Sequence, residues 1–99
     1  MATVEITITT SPTLLGTVAA GQTFVAQVTG TTGPVFVSDE TTSANLTTAN
    51  GIELAAASST APGGDYTLTY HPGPGQPQTL SIYGIVASST CTVVAEVVP

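Results

Sequence analysis

The chain has 99 residues, with six Asp or Glu, one His and no Lys or Arg, giving a formal charge of −6. A chain without cations cannot displace counterions from nucleic-acid phosphates and has no attraction for anionic lipid, so nucleic acid and membrane are excluded as partners. The length suits one domain, residues 1–99, built around a single core.

The composition favours strands over helices. Thr occurs 20 times, and Val outnumbers Leu 11 to 6. Branched side chains lose rotamer freedom in helices and pack well on pleated surfaces. No window holds apolar residues at i, i+3, i+4 and i+7, and no apolar run approaches the ~18 residues of a membrane-spanning helix.

At the start, "MATVEITITT" has neither a positive n-region nor an apolar h-region and reads as a strand rather than a signal peptide. Val4, Ile6 and Ile8 share one face of that strand, which stops at Ser11-Pro12. "TLLGTV" is a short second segment. Gly21 opens a third, "QTFVAQVTG", with Phe24, Ala26 and Val28 on one face. In "PVFVSDE", Val35 and Val37 share a face opposite Phe36. The stretch "TTSANLTTAN" offers only Leu46 as an anchor and reads as a weak edge strand or a loop. Asn50-Gly51 signals a turn, because both residue types tolerate positive φ. "IELAAA" fits another strand or a short, uncapped helix. Beyond Pro62-Gly63-Gly64, "DYTLTYH" places Tyr66, Leu68 and Tyr70 on one face. "QTLSIYGIVAS" and "TCTVVAEVV" complete the chain, and Ser88-Ser89 is short enough to join them as a hairpin. Seven or eight short alternating strands with regular turn signals specify an all-β antiparallel sandwich. Its expected core includes Phe24, Val28, Val35, Val37, Leu68, Leu80, Ile82 and Val93.

The stretch from Gly63 to Val97, "GGDYTLTYHPGPGQPQTLSIYGIVASSTCTVVAEV", resembles the back half of a filamin-type immunoglobulin-like repeat. Gly64, Tyr66, Leu68, Tyr70, Pro72, Gly75, Leu80, Ile82 and Gly84 carry the likeness. Gly21, Phe24, Ala26 and Val28 resemble that family's second strand. Bacterial and phage immunoglobulin-like modules are similar too, and they share the richness in Thr, Ala, Gly and Val. The resemblance implies a single immunoglobulin-like sandwich; the cytoskeletal role of filamins is not carried over.

Few residues suit chemistry. His71 lies in "HPGPGQP", which reads as the crossing from one sheet to the other, since prolines supply no amide donor and neither Pro nor Gly belongs inside a paired strand. It has no Cys or second His to join it in holding a metal. A catalytic serine lacks a base, and no G-x-S-x-G is present. Asp39-Glu40 are sequence neighbours that a strand would point to opposite faces; near a strand end they would suit a weak calcium site or, more simply, a solvated loop. Asn45-Leu46-Thr47 is a formal glycosylation sequon, read as chance without a secretion signal. Cys91, alone, is expected as a buried strand residue. No catalytic, cofactor-binding or metal residue is therefore assigned, and no cofactor is expected.

A lone sandwich with an initiating Met and no export signal is expected to be a structural protein of a phage particle. The forms considered are a capsid decoration (cement) subunit or a tail-associated immunoglobulin-like domain, made in the host cytoplasm and located in the virion. Its partners would be the major capsid or another virion protein, with self-association through edge strands. The alternative is an adhesion or carbohydrate-binding module excised from a bacterial surface protein. A third reading is a cytoplasmic scaffold that binds peptides by adding a strand. Thr/Val-rich runs at both ends, without lysine to blunt them, place the first and last strands at or near the contacts.

Overall fold

The computed structural model describes residues 3–38 and 46–99. Eight strands form: β1 (Val4–Ile8), β2 (Thr13–Ala19), β3 (Thr23–Val28), β4 (Val35–Ser38), β5 (Ile52–Leu54), β6 (Asp65–Thr69), β7 (Thr79–Val86) and β8 (Cys91–Val98). No helix occurs among the described residues, so "IELAAA" resolves into the short strand β5. One antiparallel sheet has the order β1-β8-β3-β6 and the other β2-β7-β4-β5. The result is an all-β sandwich of two four-stranded sheets, with principal extents of 43 × 28 × 16 Å.

The pairing follows one simple plan. β1 pairs with β8, β2 with β7, β3 with β6 and β4 with β5, all antiparallel. The chain is thus one long hairpin of four strand pairs, folded so that β8 also meets β3 and β7 also meets β4. Rolling such a hairpin into two sheets gives the jelly-roll wiring. At the level of two packed antiparallel sheets the architecture is compatible with an immunoglobulin-like domain.

Two expectations about neighbours need correction. β7 and β8 do not form a hairpin: β7 lies in one sheet and β8 in the other, and residues 87–90 cross between them. Ser89 makes that crossing with a φ of 62°. Nor is the last strand an edge, because β8 is flanked by β1 and β3. Among the described strands the edges are β1 and β6 in one sheet and β2 and β5 in the other.

The core is where the alternation places it. Phe24, Ala26 and Val28 of β3 meet Val93, Ala95 and Cys91 of β8, facing Ile82, Val86, Val35 and Val37 from the other sheet. Phe24, Val35, Val37, Ile82 and Val93 have no exposed surface, whereas Leu68 is half-buried on the edge strand β6 and packs against the cluster. Leu46 and Ile85 are buried outside this cluster. Gly51 sits against both Phe36 and Leu46, so that a Cβ added there would lie 2.8 Å from the Phe36 Cβ and 3.1 Å from the Leu46 Cδ1. The glycine of Asn50-Gly51 is thus matched to close packing; neither residue adopts positive φ. The turn is held instead by the Asn50 side chain, whose Oδ1 accepts from the Thr47 amide at 2.9 Å.

Candidate functional site: an open strand edge and an apolar cleft

His71 and Cys91, the described residues among those singled out for chemistry, lie toward opposite ends of the first sheet. His71 is exposed at the exit of β6, and residues 70–78 carry the chain from one sheet to the other. Buried Tyr70 holds this corner: its hydroxyl donates to the Pro77 carbonyl at 2.7 Å, and its backbone exchanges bonds with Gly21 and Gln22. A tight turn follows, with the Gly73 amide bonded to Gln76 Oε1 and Gly75 at a φ of 83°, a conformation that suits glycine. Asp39, Glu40 and Asn45 lie outside the described residues.

Cys91 is buried on the inner face of β8, as its strand position suggests. Burial pushes its thiol pKa up, partly offset by bonding to backbone at Thr92, Thr32 and Gly30. The thiolate, which is the reactive species, is disfavoured. Among the described residues no three His, Cys, Asp or Glu side chains come together closely enough to hold a metal.

Two surface depressions stand out among the described residues. One is a shallow groove of about 480 Å³ between the end of β3 and residues 57–63. Its lining includes Gln27, Thr29, Ser58, Ser59, Thr60 and Pro62, with no titratable side chain. The other is an apolar cleft of about 230 Å³ between the sheets, lined by Val4, Leu15, Gly16, Phe24, Ala95 and Val97, with Glu96 its one charged residue.

The cleft has a local cause. β2 slips register against β7 between Leu14 and Gly16. This bulge bends the strand and brings Gly16, without a side chain, over the Phe24 ring. The facing sheet therefore supplies little to cover the end of β1. Val4 follows the same alternation as the inward-facing Ile6 and Ile8, yet remains 53% exposed.

Beside this cleft runs the free edge of β1. Its five residues pair with β8 without a register shift, and no described segment pairs with its other side. A free edge leaves half of its N–H and C=O groups available to another chain. On the outer face, Glu5 stands opposite Val94, and Glu96 lies one diagonal away with Thr3 Oγ1 donating to its carboxylate at 3.3 Å. The chain has no Lys or Arg to pair with these carboxylates.

These features define a class: a small two-sheet β-sandwich whose notable surface is a strand edge with an adjoining apolar cleft. No family model matches the chain, and no curated protein or solved structure matches it. The sequence showed the alternation of β1 and the lack of lysine. It concealed the cleft, which arises from a bulge in a different strand.

Proposed function

We propose that this chain is a non-enzymatic structural subunit of a phage particle, a capsid decoration (cement) protein that docks on the shell through an edge strand and resides in the virion. The observation that carries this reading is the free β1 edge with its adjoining cleft, on a chain with no Lys or Arg. Soluble proteins ordinarily blunt such an edge with Lys, Pro, a bulge or a covering segment. β1 has none of these among its five residues; Glu5 is its only charge. An edge of this kind is suited to pairing with another protein. The jelly-roll wiring adds support by analogy, since viral capsid domains commonly use it, although fold alone does not assign function.

The alternative as a sugar-binding module gains little from the surface. All five aromatic residues are buried or half-buried: Phe24 and Tyr70 in the core, Tyr66 packed against it, and Phe36 and Tyr83 half-covered on the outer face of the second sheet. A sugar platform requires an open aromatic face.

The test is co-sedimentation with empty phage shells stripped of accessory proteins. The expected result is saturable pelleting at a fixed ratio of copies per shell subunit. A protein that remains in the supernatant at every shell concentration contradicts the proposal.

A further inference from the structure

The four edges of the sandwich are not equivalent. β2 carries the bulge at Leu14–Gly16. β5 is only three residues long. β6 is hemmed in at both ends: Gly64 is bonded to Ala55 and Val28 at its start, and the Pro72–Pro77 corner closes its exit. Bulges, short length and flanking prolines are the usual means of protecting an edge. Only β1 combines a regular register with an adjoining cleft.

From this we infer that β1 is the docking edge, and that its occupant is an extended segment of a partner protein carrying Lys or Arg flanked by large apolar residues. The inference rests on the proposed docking role and names the edge and the chemistry it recognises. A strand added antiparallel to β1 continues the sheet, so its side chains alternate in step with those of β1. The residue opposite Val4 turns toward the sandwich interior, beside the cleft. At about 230 Å³ that cleft exceeds the ~150 Å³ cavity known to accept benzene, so it has room for a Leu, Met or Phe side chain. The neighbouring residue, opposite Glu5, turns outward. Directly opposed side chains have Cβ atoms ~4.5–5.5 Å apart, within reach of an ion pair. Glu96 stands one strand further in, on β8, so its carboxylate adds to the negative potential along this edge without meeting that side chain directly.

Charge selects the partner over a second copy of this chain. A second copy brings six more acids and no Lys or Arg, so it offers no long cationic side chain to Glu5. A basic strand pairs with Glu5 and offsets the potential that Glu96 adds to the edge.

The test uses an end-capped seven-residue peptide, Thr-Lys-Leu-Lys-Val-Lys-Thr, and a control with Glu replacing each Lys. Binding to the full chain is followed by titration with amide chemical-shift mapping. The basic peptide is expected to saturate, to shift amides of residues 3–8 and 94–97, and to weaken as salt is raised. Glu5→Lys and Val4→Asp are each expected to weaken it at least ten-fold, while Glu53→Lys on the β5 edge leaves it unchanged. Val4 and Glu5 are exposed, so the variants should retain the fold, checked by circular dichroism; Glu5→Gln provides a milder second variant. Equal binding of the acidic peptide, equal binding by Glu5→Lys, no saturation, or shifts centred on β5 or β6 would each overturn the inference. So would a concentration-dependent dimer of the protein alone with its shifts on β1, which would assign the edge to a second copy. Shell binding that survives Glu5→Lys would overturn this inference and leave the docking role standing; peptide binding without shell binding would do the reverse.

Discussion

Replacing Gly16 by alanine probes the packing that creates the cleft. An added Cβ would lie 2.9 Å from Phe24 Cε1 and 3.3 Å from Cδ1, against an optimal carbon–carbon separation of ~3.5–4.0 Å. Phe24 is wholly buried and packs on Tyr66 with centroids 6.2 Å apart at a 60° tilt, so relief of the contact requires turning the ring toward the adjoining cleft. Overpacking of this kind costs ~1–3 kcal/mol. Gly16 does not adopt positive φ, so alanine also removes unfolded-chain entropy and returns ~0.4–1 kcal/mol. The expected net effect is a loss of about 1–2 kcal/mol, read as a lower urea midpoint at unchanged m-value. Phe24→Leu shortens the group that is struck, so the two substitutions should couple favourably by more than ~0.5 kcal/mol in a double-mutant cycle. A Gly16→Ala protein as stable as wild type, or additive energies in the cycle, would refute the packing argument.

Other outcomes follow from the same structure. Ile82→Ala, at a fully buried position on a central strand, should cost ~2–5 kcal/mol, and Leu68→Ala on the half-buried edge strand distinctly less; equal losses by denaturant titration would contradict the assigned burial. Tyr70→Phe removes the bond to the Pro77 carbonyl and should cost ~0.5–1.5 kcal/mol, with faster amide exchange in residues 71–78; exchange unchanged there would show that the corner is held by other contacts. Since burial raises the Cys91 pKa, the unfolded thiol ionises first as pH rises. Its contribution is intact below the unfolded pKa and lost as pH climbs toward the folded one. Stability should therefore decline through that alkaline window, and Cys91→Val should remove that part of the slope; an unaltered slope would exclude the thiol as its source.

How far the sequence reveals this molecule depends on the kind of feature. Strands and their buried faces were legible because alternation reports which side of a strand meets the core: Phe24, Ala26 and Val28 are all buried as read. The corner at residues 71–78 was legible because Pro and Gly exclude strand pairing there. Strand neighbours were not, since a period of two identifies a face and carries no record of which strand lies alongside. The four-residue connection at 87–90 would serve a hairpin or a sheet crossing, and the fold uses it as a crossing, with Ser89 at positive φ. The same ambiguity placed β8 at an edge, where the fold sets it between β1 and β3. Gly51 signalled a turn for its freedom at φ, whereas its role is to fit between Phe36 and Leu46. The cleft depends on a bulge in β2 acting on the exposure of Val4 in β1, a relation between distant residues that no local pattern encodes.

The most direct measurement is a side-by-side sedimentation of wild type, Glu5→Lys and Glu53→Lys with empty phage shells. Wild type and Glu53→Lys should pellet to the same saturating ratio, while Glu5→Lys, folded by circular dichroism, stays in solution. Wild-type protein left in the supernatant at every shell concentration would contradict the account at its centre.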